Sequence, residues 1–118
     1  MNISFLSLQQ RINSLYPNCT DVNVVLDYFK DKEWVAIDTE TTGFDVFNNK
    51  LLSIQFGDKN NQFVVDLSTI SISLFKSLLE TKPLILQNAK FDLRFLYHHG
   101  IFPKQVYDTY LAEVKLTQ

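Results

Sequence analysis

Cysteine is almost absent from this chain, since Cys19 is the only one among its 118 residues. A single cysteine cannot form an intrachain disulfide, which excludes a small scaffold held together by disulfides. Glycine and proline number three each, which excludes collagen-like and low-complexity sequences. Long apolar runs and the basic, then apolar, start of a signal peptide are also lacking. We therefore expect one small, soluble, intracellular domain with no membrane partner.

Excess charge of either sign is lacking as well. The chain has 11 Lys and Arg against 13 Asp and Glu, which gives a formal net charge of −2. A protein that coats nucleic acid through counterion release alone needs a strong basic field, so this class is disfavoured. An enzyme that binds metal ions through carboxylates is not disfavoured, because bound cations reverse the local field.

Apolar residues are present in ordinary amounts, and their spacing predicts alternating strands and helices after a polar, irregular start that extends to about Asn18. Three strands come first and form antiparallel hairpins, and later strands follow helices, as in βαβ crossovers. This order predicts an α/β fold with a mixed sheet and helices on both faces. We assign residues 1–19 to an N-terminal extension and 20–118 to the domain. The predicted helices cover 20–30, 71–79, 89–100 and a segment from 109, and the predicted strands 34–37, 51–56, 62–67, 84–86 and a segment around 106.

Two acids end the first predicted strand. Because strand side chains alternate, Asp38 and Glu40 project from one face, which also carries Trp34 and Ala36, and we expect them to leave from the core side. Two carboxylates held close together raise each other's pKa unless a cation joins them. Taken alone, the D-x-E pattern favours an ordinary structural role, in which Asp38 opens a turn and Glu40 is solvated.

A third acid, Asp92, lies on the apolar face of a predicted helix, beside Phe95 and Leu96. Burying an acid there costs several kcal/mol unless the carboxylate is paired or binds a metal. The strand at 84–86 leads into this helix, so Asp92 lies one turn beyond the carboxyl end of a strand, where ligands bind in open α/β sheets. Together with the D-x-E pair it offers the hard oxygen ligands that Mg²⁺ and Mn²⁺ prefer.

Three motifs resemble those of one enzyme family. VAIDTETTG at 35–43 resembles the first motif of the proofreading 3′–5′ exonucleases of the DnaQ-like (DEDD) superfamily, and QNAKFDLRFL at 87–96 resembles the second. VYDTYLAEV at 106–114 is similar to the segment that follows in the exonuclease domain of family A DNA polymerases, the DNA polymerase I type. LLSIQFGD and FVVDL are similar to that family's second and third strands. The resemblance covers about residues 20–118.

The resemblance implies a ribonuclease H-like fold and hydrolysis of phosphodiester bonds with two divalent cations, Mg²⁺ or Mn²⁺. By position, Asp38 would bridge both ions, Glu40 would bind the ion on the nucleophile side, and Asp92 the ion on the leaving-group side. The three would be the catalytic residues of an enzyme that removes nucleotides from the 3′ end of single-stranded DNA.

The resemblance also implies contacts between the protein and its substrate. Phe44 is either an apolar wedge against the last base, where stacking contributes about 1–3 kcal/mol, or a core residue. Asn88 would hydrogen-bond the substrate strand. The substrate-binding positions implied by the family are Thr39, Thr41, Thr42, Gly43, Phe44 and Asn88.

The family's third motif, which supplies a fourth carboxylate on a later helix, is not reached before the sequence ends at Gln118. Asp108 is a poor substitute, because it matches a residue that full-length members have in addition to that acid. We therefore expect the chain alone to be a feeble exonuclease. A separate polypeptide that supplies the exonuclease helices or a polymerase domain would complete it, and an apolar strip on the sheet or on the helix at 89–99 would favour such binding or self-association.

Three functions remain open at the level of sequence. The leading interpretation is a proofreading 3′–5′ exonuclease of DNA replication, in the cytoplasm of a bacterial or phage-infected cell. The second is a module without catalytic activity that keeps the exonuclease fold to bind nucleic acid or a replication partner. The third is a ribonuclease D-like exonuclease that trims RNA, because the first two motifs do not distinguish DNA from RNA.

Overall fold

The computed structural model describes residues 2–9 and 18–109, which form one seven-stranded sheet in the order β2-β1-β5-β4-β3-β6-β7. No helix within these two ranges is long and apolar enough to cross a membrane. The helix expected from residue 109 lies outside the described residues, apart from its first position. The strands are β1 (Asn2–Leu6), β2 (Asn18–Cys19), β3 (Val35–Thr41), β4 (Leu51–Gly57), β5 (Asn61–Asp66), β6 (Leu84–Leu86) and β7 (Val106–Asp108). The helices are α1 (Asn23–Phe29), α2 (Lys76–Thr81), which follows a 3-10 helix at Ile72–Phe75, and α3 (Ala89–His98).

The central strand, β3, joins the two halves of the sheet. It pairs antiparallel with β4, which pairs antiparallel with β5, and it pairs parallel with β6 on its other side. β7 continues the sheet parallel to β6. The mixed sheet predicted from three hairpin strands and later crossovers is therefore confirmed, and it places the end of β3 next to the start of α3.

The expectation of an irregular start is wrong for the first residues. β1 pairs parallel with β5, with Ile3 opposite Gln62 and Leu6 opposite Val65. The side chain of Leu6 is fully buried in the core, and the neighbouring Ser7 hydroxyl donates to Asp66 at 2.8 Å. β1 therefore belongs to the same sheet as the strands after residue 20. The domain boundary between residues 19 and 20 stays a prediction.

One face of the sheet carries the core. The register places Ile37, Phe56 and Phe63 in one row across three strands. The Phe29 ring of α1 packs on Phe56 and Phe63, at centroid distances of 6.5 and 5.8 Å. Phe75 of the 3-10 helix packs on Phe56 at 4.9 Å. The described helices that contact the sheet therefore do so on this face.

The opposite face is open in the described part of the structure, so the prediction of helices on both faces is not met there. Ala36 and Ile85 are only half-buried, and Tyr107 is 64% exposed. Asp38 and Glu40 share this open face, which means that the expectation of acids on the core side is wrong. The reason is the alternation of β3, whose buried side chains are Val35, Ile37 and Thr39.

Candidate active site

The site is built around the carboxyl group of Asp92, which is only 3% exposed. The hydroxyl of Thr39, itself buried on β3, donates a hydrogen bond to Asp92 Oδ1. Burial is the largest cause that raises the pKa of Asp92 to about 6, and the negative charges of Asp38 and Asp108 add to it. α3 therefore brings a buried carboxyl group against the end of β3.

Asp38 and Glu40 lie on the other side of β3, with exposed side chains. Asp38 is close enough to Asp92 for its charge to act on that carboxyl group. Among the described residues, no three His, Cys, Asp or Glu side chains form a group that could hold a metal ion. Among the described residues the three acids therefore do not converge as expected, because Thr39 holds Asp92 on the buried side of the strand while Asp38 and Glu40 project from the open side.

Thr39 thus differs from its expected role as a substrate contact. Its side chain is 6% exposed and its hydroxyl is used by Asp92. The side chain therefore positions a carboxyl group and is not available to a nucleotide in the groove. This is a correction to the role that the family resemblance implied.

β3 ends at Thr41, and the chain bends at Thr42 and Gly43. The Thr41 hydroxyl donates to the Gly43 carbonyl at 2.7 Å, and the Thr42 hydroxyl accepts from the N–H of Lys50 at 2.9 Å. A Cβ at Gly43 would lie 2.7 Å from the side chain of Asn49, so a larger residue there would displace that side chain. The turn is fixed by its own hydrogen bonds, and it leaves Thr42 exposed.

Phe44 follows this turn and is 83% exposed. Its ring meets the ring of Phe91 edge-on, with centroids 5.6 Å apart. The interpretation of Phe44 as a core residue is therefore wrong. Its role as a wedge against a base stays a prediction, and its position on the surface next to α3 is consistent with that role.

Asn88 lies at the start of α3 in the left-handed region, with φ of 61°, a conformation that asparagine tolerates better than most residues. The backbone N–H groups of Asn88 and Ala89 donate to the carboxylate of Asp108, at 3.2 and 2.9 Å. Asp108 thus caps α3 from the end of β7. The side chain of Asn88 is exposed and borders the same groove as Asp38, a depression of about 780 Å³ lined by Ala36, Ile37, Asp38, Ile85, Gln87, Asn88 and Thr109.

The cap on α3 leads to a stability prediction. Replacing Asp108 with alanine should lower the free energy of unfolding by about 1 kcal/mol, the usual cost of losing a side-chain cap, because two backbone N–H groups lose their acceptor. Urea unfolding followed by circular dichroism measures the change. Asp108→Asn keeps an acceptor oxygen and should lose less, whereas an alanine variant as stable as wild type would contradict the capping role.

Sequence reasoning missed two of these arrangements. The role of Thr39 could have been inferred from strand alternation, since the residue between two exposed acids must face the core. The cap by Asp108 had no local signal, because the donors and the acceptor are about 20 positions apart along the chain.

The comparisons with known proteins identify the family to which the chain belongs. A family model described as 3′–5′ exonuclease matches residues 16–118. DNA polymerase I of Aquifex aeolicus (strain VF5) is 35% identical over 88 residues, which cover 74% of this chain and 14% of that protein. Ribonuclease D of Bartonella henselae is 28% identical over 112 residues, which cover 91% of this chain and 28% of that protein.

The fold also matches solved structures. Brucella melitensis NrnC has a TM-score of 0.73 and 27% sequence identity, over 99% of this chain and 53% of that one. Structures of the same protein carry bound Mg²⁺ and bound pGG. The sheet is therefore of the ribonuclease H-like exonuclease type, as the sequence motifs implied. The chain spans about half of NrnC and much less of the curated relatives that it matches.

Proposed function

Because the chain belongs to the 3′–5′ exonuclease family of the DNA polymerase I type, we propose that it removes nucleotides one at a time from the 3′ end of single-stranded DNA by metal-dependent hydrolysis. The observation that carries this proposal is the buried Asp92 carboxyl group, held by Thr39 at the end of β3 and influenced by the charge of Asp38. A buried acid whose pKa is raised by burial and by a nearby negative charge is typical of a functional site.

The donor groups fit a divalent cation. Asp38, Glu40 and Asp92 offer only carboxylate oxygens, which suit Mg²⁺ and Mn²⁺. The repulsion between Asp38 and Asp92 is the condition that a bound cation relieves. The three side chains form no metal-binding group in the described structure, so we propose that they come together around two ions, which when bound would lower the pKa of an attacking water and balance charge on the scissile phosphate. Bound Mg²⁺ in NrnC supports this assignment.

The remaining residues of the site hold the substrate in place. We assign the turn at Thr41 to Gly43 to the terminal nucleotide, because it follows the Asp38 strand directly and is fixed by its own hydrogen bonds. Phe44 would pack its exposed ring on the last base. The exposed amide of Asn88 borders the groove of Asp38 and would hydrogen-bond the strand. A fixed frame of this kind lowers the entropic cost of aligning the reacting groups.

RNA is the second candidate substrate, and the Bartonella henselae ribonuclease D relative supports it. We expect release of mononucleotides from 3′-labelled DNA in the presence of Mn²⁺, with matched RNA of the same sequence degraded more slowly. A blocked 3′ end serves as the control for direction. Faster degradation of RNA would favour the ribonuclease, and binding of both oligonucleotides without hydrolysis would favour the non-catalytic module.

The open face of the sheet offers a surface on which a further polypeptide could pack. Beside the groove of Asp38 a second depression of about 540 Å³ is lined mainly by apolar side chains, among them Trp34, Ile85 and Tyr107. Ile85 borders both depressions. We propose that further exonuclease-type polypeptide packs here and brings an additional carboxylate to the site. In the assay above, adding such a polypeptide should raise the rate for wild type, and Tyr107→Asp should abolish the gain.

A further inference from the structure

The segment that follows the Thr41 to Gly43 turn is held rigidly. The Asp45 carboxylate accepts hydrogen bonds from the N–H of Phe47 at 2.9 Å and from the side chain of Asn48 at 2.6 Å. Asn49 Oδ1 accepts from the N–H of Asp45 at 2.8 Å. Val46 is buried and anchors the segment in the core. We call residues 43–49 the aromatic loop, since this network directs two phenylalanine rings outward.

Phe47 is the ring of this loop that the proposed reaction does not use. Its side chain is 81% exposed, and its ring meets the imidazole of His98 edge-on, with centroids 5.6 Å apart and an interplanar angle of 86°. Phe44 makes the same kind of contact with Phe91, at the same centroid distance. The aromatic loop and α3 therefore meet in two matched aromatic pairs.

A cation lies between these pairs on the same face of α3. Phe91, Arg94 and His98 are three and four residues apart, so they form one stripe about 10 Å long on the helix. Arg94 is exposed and close enough to the aromatic loop for its charge to help lower the pKa of Asp45, which is lowered chiefly by the Phe47 N–H. One turn earlier, Lys90 adds a second exposed cation.

We propose that Phe47 and His98, together with Arg94, form a binding track for the nucleotides immediately upstream of the 3′ terminal one. The track rests on the proposed function, because it extends the site from Phe44 away from Asp38. In it, Phe47 stacks on a base and Arg94 binds a phosphate between the two aromatic pairs.

Single-stranded nucleic acid is the occupant that fits this surface. An exposed ring, a cation and a second exposed ring repeat the order base, phosphate, base of an unpaired strand. The length of the stripe matches one to two nucleotide steps of an extended strand. The track is also continuous with the turn assigned to the terminal nucleotide. A protein partner would not require rings and a cation to alternate. Binding of a protein on this surface is one of the outcomes of the test.

The test measures binding of 5′-fluorescein thymidylates, from the monophosphate to an octamer, by anisotropy with the full chain. The oligonucleotides carry phosphorothioate linkages at the 3′ end, so that hydrolysis does not interfere. Phe47→Ala should weaken binding of the octamer roughly fivefold to a hundredfold, the range for loss of a stacking ring, and leave binding of 5′-fluorescein thymidine monophosphate, which has no upstream nucleotide, nearly unchanged. Phe44→Ala should weaken both. Phe102→Ala, which removes another exposed ring that stacks on Tyr97 and is not part of the proposed track, should change neither.

Arg94→Ala provides an independent measurement. Loss of one phosphate contact should reduce the slope of log affinity against log salt by about 0.7 for a single strand. If the wild-type chain binds the octamer and Phe47→Ala and Arg94→Ala bind it equally well, the track is overturned and the proposed function stands. A wild-type chain that binds no oligonucleotide would overturn both. Loss of self-association in Phe47→Ala, with unchanged oligonucleotide binding, would assign the surface to a protein contact and also overturn the track.

Discussion

Asp38→Asn should lower the rate at which nucleotides leave a 3′ end, in the presence of Mn²⁺, by more than about a hundredfold. Replacing even a residue that only hydrogen-bonds a metal ligand lowers metal affinity or activity roughly 10- to 100-fold. Asp38 is itself assigned as a ligand of both ions, so its loss should cost more. The side chain is exposed on the open face of the sheet, so the substitution should leave the fold intact. The rate is measured on 3′-labelled single-stranded DNA, for the chain alone and with added exonuclease-type polypeptide.

A matched control for this prediction is Asp31→Asn, which neutralises an exposed acid in the turn between α1 and β3. It should hydrolyse DNA at the wild-type rate. Circular dichroism confirms that both variants are folded. An Asp38→Asn protein that retains the wild-type rate would remove the central residue from the proposed mechanism.

Asp92→Asn should stabilise the metal-free protein at neutral pH by up to about 3 kcal/mol. The pKa of Asp92 is raised from 3.8 to about 6 in the folded state, and one pKa unit corresponds to about 1.4 kcal/mol. Because the folded pKa lies above the unfolded one, the stability associated with the protonated group is complete below pH 3.8 and is lost as the pH rises through 6. The asparagine keeps an acceptor for the Thr39 hydroxyl without the charge.

Urea unfolding in EDTA at pH 4 and pH 7.5 measures this effect. The variant should gain stability over wild type at pH 7.5 and little at pH 4, whereas Asp27→Asn, on the exposed side of α1, should show no such difference between the two pH values. Mg²⁺ or Mn²⁺ should raise the melting temperature of wild type by mass action and that of Asp92→Asn much less. If the ions raised both melting temperatures equally, or if Asp92→Asn were less stable than wild type at pH 7.5, the assignment of Asp92 as a buried, metal-binding carboxylate would be contradicted.

The strands and helices near the site could be predicted because their apolar residues repeat with the period of each element. The strand at 84–86 and the helix that follows it are apolar enough to be recognised locally, and Gly100, with φ of 76°, ends that helix as expected. β1 was not recognised, because only Leu6 among its five residues is buried. Its pairing with β5 joins residues about 60 positions apart, a relation that local pattern does not contain.

The acids illustrate a different limit. The D-x-E spacing correctly places Asp38 and Glu40 on one face of β3, but it does not say which face is buried. A shift of one residue exchanges the two faces of a strand, and here Trp34, just before β3, suggested the wrong one. The shape of the aromatic loop could not be predicted from apolar periodicity. It depends on hydrogen bonds that the Asp45 and Asn49 side chains accept within an irregular segment.

The central claim is that Asp38 and Asp92 hold divalent cations at a 3′ end. The most direct test is a crystal structure of the chain soaked with Mn²⁺ and a nucleoside monophosphate, with the ions located by anomalous scattering. We expect Mn²⁺ bound by Asp38 and Asp92, with the phosphate beside it and the base against Phe44. Mn²⁺ bound elsewhere, with Asp92 still held by Thr39 and no ion at Asp38, would contradict the account.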